Sequence, residues 1–243
     1  MRAARVPFPA WMALGASALG TLGLLYLGAL HPQVIPAAWT APLVGNAFVD
    51  GKLKYQLVTL VLALIVLGVV ALLAPHNARR FYRPGDLDAG AQPVRWLGIH
   101  PQENWTHVGR SFAVIVSLAT GAFVYFNLAQ GQRLEAGLAG YLPWILVLAA
   151  LNAFTEEAIT RLGVITALDG RLARPSMYWI SALLFGIPHY YGVPGGLIGA
   201  CMAVFLGWLL AKSVAETRGL MWAWLIHALQ DVIIFAGLFL AAG

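Results

Sequence analysis

The chain has 243 residues, of which 60% are hydrophobic and only 10% charged, with a mean hydropathy of +0.76. This balance excludes an ordinary soluble domain and reads as an all-α polytopic membrane protein. Its 15 Lys and Arg against 10 Asp and Glu leave a net charge of +5, a topology signal on membrane-protein loops that gives no ground for a nucleic-acid partner.

The single cysteine, Cys201, excludes an intrachain disulfide and an all-cysteine metal cluster, and in its apolar surroundings it reads as a small packing residue. Arg2 and Arg5 precede an apolar run over Phe8–Leu30. That run exceeds the roughly 7–15 residues of a signal-peptide core, so a retained first span with a cytoplasmic N-terminus is expected. The stretch 31–54 holds three prolines and the turn signal Asp50-Gly51, which predicts a surface loop or interfacial segment. A second span follows over 55–74 and ends at Pro75.

The long polar stretch 76–110 carries Arg79, Arg80, Arg83, Arg95 and Arg110 against Asp86, Asp88 and Glu103. The positive-inside rule places it in the cytoplasm, with Trp96 and Trp105 at headgroup level. There the sequon Asn104-Trp-Thr106 would never be modified. A third span over 111–128 leads through the loop 131–137 to a fourth, from 138, which carries Glu156 and Glu157 toward its far end. After a loop over 162–175, a fifth segment runs over 176–189, a sixth over 196–212 and a seventh over 220–242. This gives about seven transmembrane helices in a single membrane domain over 1–243. Spans and loop fill 1–137, the polar core fills 138–243, and the basic connections 76–110, 162–175 and 212–219 all lie inside. Richness in Ala, Arg, Gly and Pro points to the plasma membrane of a bacterium.

Ionisable side chains are expensive inside a bilayer and mark functional sites there. The first three spans have none at their centres, whereas the later part of the chain holds Glu156, Glu157, Arg161, His189, His227 and Asp231. Glu157 and Arg161 are four apart, the spacing of a helical ion pair, which leaves Glu156 about 100° round the helix and free to face the bundle interior. His227 and Asp231 share one face. A carboxylate and two histidines suit amide hydrolysis, in which a base activates water and a donor stabilises an oxyanion. There is no Gly-x-Ser-x-Gly elbow and Cys201 has no base near it in sequence, so a nucleophilic triad is poorly supported. Glu156, His189 and His227 also allow a zinc site of two histidines and a carboxylate, although no His-Glu-x-x-His is present. A non-hydrolytic transporter or immunity-type binding protein is the rival class, in which the same groups relay protons or bind a cation.

Three motifs stand in order: Glu156-Glu-Ala-Ile-Thr-Arg161, Phe185-Gly-Ile-Pro-His189 and His227-Ala-Leu-Gln-Asp231. Together they resemble the signature of the CAAX protease and bacteriocin-processing (CPBP, or ABI) family, relatives of the Ras-converting CAAX endopeptidase. The resemblance implies a metal-independent and cofactor-independent glutamic endopeptidase with its cavity between the fourth, fifth and seventh spans. Glu156 would activate water with help from His189, His227 with Asp231 would form the oxyanion hole, and Glu157, Arg161 and Phe185 would support them. Substrates would be proteins or peptides cut near a C-terminal or membrane-proximal end, lipid-anchored ones and those with C-terminal sorting tails included. Position 231 departs from the best-studied relatives, which carry Asn there, and an ionised Asp cannot donate to an oxyanion. The boundaries also carry a strain, because they put Glu156 near the inner end of its span and His189 about 20 Å along the next one.

Overall fold

The computed structural model describes residues 7–129, 138–193 and 195–242. Among these residues regular structure is helical apart from two isolated bridges, Gly90 with Asn104 and Val94 with Ile99. Hydrocarbon imposes that outcome, because a helix satisfies its backbone groups within its own segment. Expectations resting on Arg2, Arg5 and the loop 131–137 lie outside the described residues.

The order is α1 (Phe8–Leu25) with a π turn (Tyr26–Leu30), α2 (Val34–Ala38), α3 (Ala47–Leu73), α4 (Pro75–Phe81) and α5 (Trp105–Val124) with a π turn (Tyr125–Ala129). Then come α6 (Leu138–Glu157), a π segment (Ala158–Gly163), α7 (Val164–Leu168), α8 (Arg174–Gly186) with a 3-10 turn (Pro188–Tyr191), α9 (Gly196–Thr217) and α10 (Met221–Ala242). Among the described residues six helices are long and apolar enough to cross a membrane: Phe8–Leu30, Ala47–Leu73, Trp105–Asn127, Leu138–Leu168, Gly196–Thr217 and Met221–Ala241. The chain is an integral membrane protein. The expected fifth span is α8, whose 13 residues reach only about 20 Å and do not cross alone.

Three boundaries differ from the sequence reading, each for a local reason. α3 starts at Ala47 because Asn46 caps it, its side-chain oxygen accepting from the Phe48 and Val49 amides at 2.9 and 3.1 Å. Asp50 then sits in the first turn, salt-bridged to Lys54 at 2.6 Å and accepting from the Leu43 and Val44 amides, so the turn signal Asp50-Gly51 is absorbed into the helix. α5 starts at Trp105, capped by the sequon residue Asn104, whose side chain accepts from His107 N at 3.0 Å. Trp105 is not a headgroup anchor. It is fully buried and donates its indole N–H to Glu216 at 2.9 Å, a carboxylate also bound to Lys212, while Trp96 is exposed.

The third difference resolves the strain in depth. The helix bearing the glutamate pair continues through the π segment and α7 to Leu168, so the connection shrinks to 169–173. Glu156 lies 12 residues, about 18 Å, before Leu168, and His189 lies 15 residues, about 22 Å, after Arg174, so the two reach matching depths. The three basic connections also meet at one end. Arg80 pairs with Asp169 at 2.7 Å, Asn77 donates to the Thr166 and Asp169 carbonyls, the Asp86 amide donates to Thr217 O, and Leu220 N donates to Arg83 O.

α8 is held by close approach to α9. A methyl at Gly186 would lie 2.2 Å from Val204 Cγ2 and 2.7 Å from Val204 N, and one at Gly207 would lie 3.0 Å from Ala182 Cα. Small residues therefore set this crossing, as they do where membrane helices pack without a hydrophobic drive between them. Gly186→Ala must push α8 off the α9 backbone. It is expected to lower the melting temperature in detergent by several degrees, roughly 1–3 kcal/mol of overpacking. An unchanged melting curve contradicts this packing.

Candidate active site

The π segment is where the site is built. It follows Glu157 directly, and π bulges disturb the i→i−4 ladder in ways that re-aim side chains. Thr160 turns its hydroxyl back onto the Glu156 carbonyl at 2.6 Å, and Ser181 of α8 donates to the Thr160 carbonyl at 2.6 Å. That bond ties α8 to the bulge two turns before His189. α1 closes the other side, since a methyl at Gly163 would lie 2.4 Å from Ser17 Oγ.

All seven residues singled out in the sequence come together. Glu156 Oε2 lies 3.9 Å from His189 Nε2 and 3.8 Å from His227 Nε2. His227 Nε2 is also 3.7 Å from Asp231 Oδ2. The far nitrogen of each ring is held: His189 Nδ1 by the Phe185 carbonyl at 2.8 Å, and His227 Nδ1 by Glu157 Oε1 at 2.8 Å. A ring donating through Nδ1 points Nε2 into the site. Glu156 Oε2 has no hydrogen-bond partner among the described residues, and it stands within one water molecule's reach of both imidazoles.

Glu157 and Arg161 pair as their spacing implies, Nε to Oε2 at 3.3 Å, and both are fully buried. The hydrogen bond from His227 to Glu157 was not legible in the sequence. Phe185 is the packing hub, with the Arg161 guanidinium 3.6 Å from its ring centroid and the rings of His189 and His227 at 4.2 and 5.4 Å.

Two further residues belong to the cluster. Asn152 Nδ2 donates to Glu156 Oε1 at 3.2 Å and to Asp231 Oδ2 at 3.0 Å, while its oxygen accepts from Gln56 Nε2 at 2.9 Å. Asn152 stands four residues before Glu156, on the same helix face, which was a usable signal. Gln56 was visible only as a lone amide in an apolar span, and the first three spans thus do contribute to the site.

Two cavities meet at Phe185 and His189. One, of about 510 Å3, is lined by α1, α3, Glu156, Thr160 and Tyr55. The other, of about 440 Å3, is lined by α5, α9, His227, Gln230 and Asp231. Among the described residues no group of three or more His, Cys, Asp or Glu side chains is disposed to hold a metal ion.

No curated protein and no solved structure matches the chain. The family described as Rce1-like, type II CAAX prenyl endopeptidase, matches residues 138–233, the stretch that holds all seven of those side chains. Over that stretch the chain is similar to the CAAX protease (CPBP) family of membrane endopeptidases, hydrolases that act on protein or peptide substrates.

Proposed function

We propose that the chain is a glutamic-type intramembrane endopeptidase that hydrolyses a peptide bond near the C-terminal or membrane-proximal end of its substrate. The observation that carries this reading is the convergence of Glu156 Oε2 with the Nε2 atoms of His189 and His227 at 3.9 and 3.8 Å, each ring being anchored through Nδ1. Water held between Glu156 and His189 gives a proton to Glu156 and attacks the scissile carbonyl carbon. His227 Nε2–H meets the oxyanion that forms. The ring donates through Nε2 when it carries both protons, and the carboxylates of Glu157 and Asp231 supply the countercharge. Glu156 then returns its proton to the leaving amine as the C–N bond breaks. Asp231 orients His227 in this scheme, and Asn152 holds it beside Glu156.

The end at which the basic connections meet faces the cytoplasm by the positive-inside rule, with the N-terminus on the same side, in the plasma membrane of a bacterium. The catalytic core is 138–243. Substrates are membrane-tethered proteins or peptides, prenylated or with C-terminal sorting tails.

A fluorogenic peptide ending in a prenylated cysteine and three further residues tests the scheme. Glu156→Gln is expected to lower kcat by roughly 1000-fold and His227→Ala by roughly 100-fold. If both variants cut as fast as the wild type, a non-hydrolytic role for these residues takes its place. The zinc version draws on the same anchored imidazoles. A strong chelator should leave the rate unchanged, and loss of activity restored by zinc would establish that version instead.

The ion pair is expected to act through stability. Arg161→Leu leaves Glu157 buried without its cation, roughly 3 kcal/mol or more, and should lower the melting temperature in detergent by about 10 °C. A variant that melts like the wild type would show that the pair carries no stability.

A further inference from the structure

The two cavities differ in what they offer beyond the groups assigned above. Away from its catalytic rim, the cavity beside α5 is walled by apolar side chains such as Ile115, Val116, Phe123, Met202, Phe205 and Leu206. The cavity beside α1 and α3 is lined by Glu156 and also by Lys52. Lys52 and Lys54 lie two residues apart on α3 and are treated differently. Lys54 is salt-bridged to Asp50 at 2.6 Å. Lys52 is half-buried and, among the described residues, has neither an ion pair nor a hydrogen bond, its Nζ standing 5.7 Å from the Phe48 ring centroid. A cation drawn partly out of water without a counter-ion is favoured by any anion that enters the cavity beside it.

Its place relative to the chemistry follows from α3. Lys52 precedes Gln56 by one turn, about 6 Å along the axis. Gln56 bonds Asn152 at 2.9 Å, which bonds Glu156 at 3.2 Å, so Lys52 stands about one turn from the level of Glu156. An extended peptide advances roughly 3.3–3.6 Å per residue, so two or three residues carry a chain end that far. Glu156 lines the Lys52 cavity, His227 and Asp231 line the apolar one, and His189 lines both. A chain running from one cavity to the other therefore passes its scissile carbonyl beside His189.

We infer that the cavity beside α1 and α3 is the subsite for the C-terminal leaving fragment, and that Lys52 Nζ binds that fragment's free α-carboxylate. The apolar upstream part of the substrate occupies the cavity beside α5. The position of the scissile bond rests on the peptidase reading above; the carboxylate contact is tested without it.

The probe is a fluorescent peptide with a farnesylated cysteine followed by three apolar residues, made as the free acid and as the C-terminal amide. Equilibrium binding to detergent-solubilised Glu156→Gln protein is followed by anisotropy. The acid is expected to bind roughly 10-fold more tightly than the amide, as a charge-assisted hydrogen bond implies. Adding Lys52→Gln should bring the acid to the amide's affinity, and Lys52→Arg should keep the preference. Equal binding of the two peptides, absence of binding by both, or a preference that survives Lys52→Gln overturns the inference. Equal binding is also what a lysine reaching only for a lipid headgroup produces. If the preference and its loss are seen but the wild type cuts neither peptide, the subsite stands and the peptidase reading falls.

Discussion

Burial of the Glu157–Arg161 pair is the constraint on which the rest of the site depends. Both side chains are wholly inaccessible, and an ionised group at that depth is tolerated only with its charge matched. Arg161 meets Glu157 along the helix, and its guanidinium stands 3.6 Å from the centroid of the Phe185 ring of α8. Glu157 uses its other oxygen on His227 of α10. One buried pair thereby joins three helices from distant parts of the sequence. It fixes the ring plane of His227 and the position of Phe185, whose carbonyl holds His189. The two imidazoles face Glu156 because the neighbouring acid has been consumed as structure.

The π segment makes this geometry compatible with a continuous helix. A regular α-helix from 138 to 168 would carry each carbonyl to its own i+4 amide. In the bulge the Val164 amide bonds the Arg161 carbonyl in place of that of Thr160, and Ser181 donates to the Thr160 carbonyl. Orphaned backbone groups in hydrocarbon are costly, so this bond anchors α8. Small residues on α8 and α9 then let the short helix lie close enough for His189 to reach the level of Glu156. Secondary structure, packing and site geometry are settled at the same few residues.

What the sequence disclosed follows from which signals are local. Hydropathy identified the apolar helices because the bilayer punishes every exception along a segment. The spacing of Glu157 and Arg161 gave their pairing, since four residues is one helical turn. Asp50-Gly51 misled as a turn signal because the Asn46 cap and the Asp50–Lys54 pair outweigh the propensity of one glycine. Trp105 misled because headgroup placement is a statistical tendency, whereas its indole N–H found a buried carboxylate 111 residues away. The extension of the glutamate-bearing helix to Leu168 was hidden because the polar residues after it resemble a loop in composition. The bond from His227 to Glu157 spans 70 residues, and no periodicity reports such a contact.

Asn152 explains how the cluster accepts an aspartate at 231. Glu156 and Asp231 approach the same imidazole nitrogen, at 3.8 and 3.7 Å, and two bare carboxylates so placed repel each other. The amide nitrogen of Asn152 donates to both, and its oxygen is taken by Gln56. Its orientation is therefore set from outside the pair, and it cannot turn an acceptor toward either acid without losing the Gln56 bond. Where a side chain at 231 is an amide, it can donate to an oxyanion itself. Here the amide is Asn152, four residues before the base on the same helix, and the acid at 231 is left to hold His227. The roles of donor and acceptor are thus exchanged between α6 and α10, which leaves His227 as the donor that faces the developing charge.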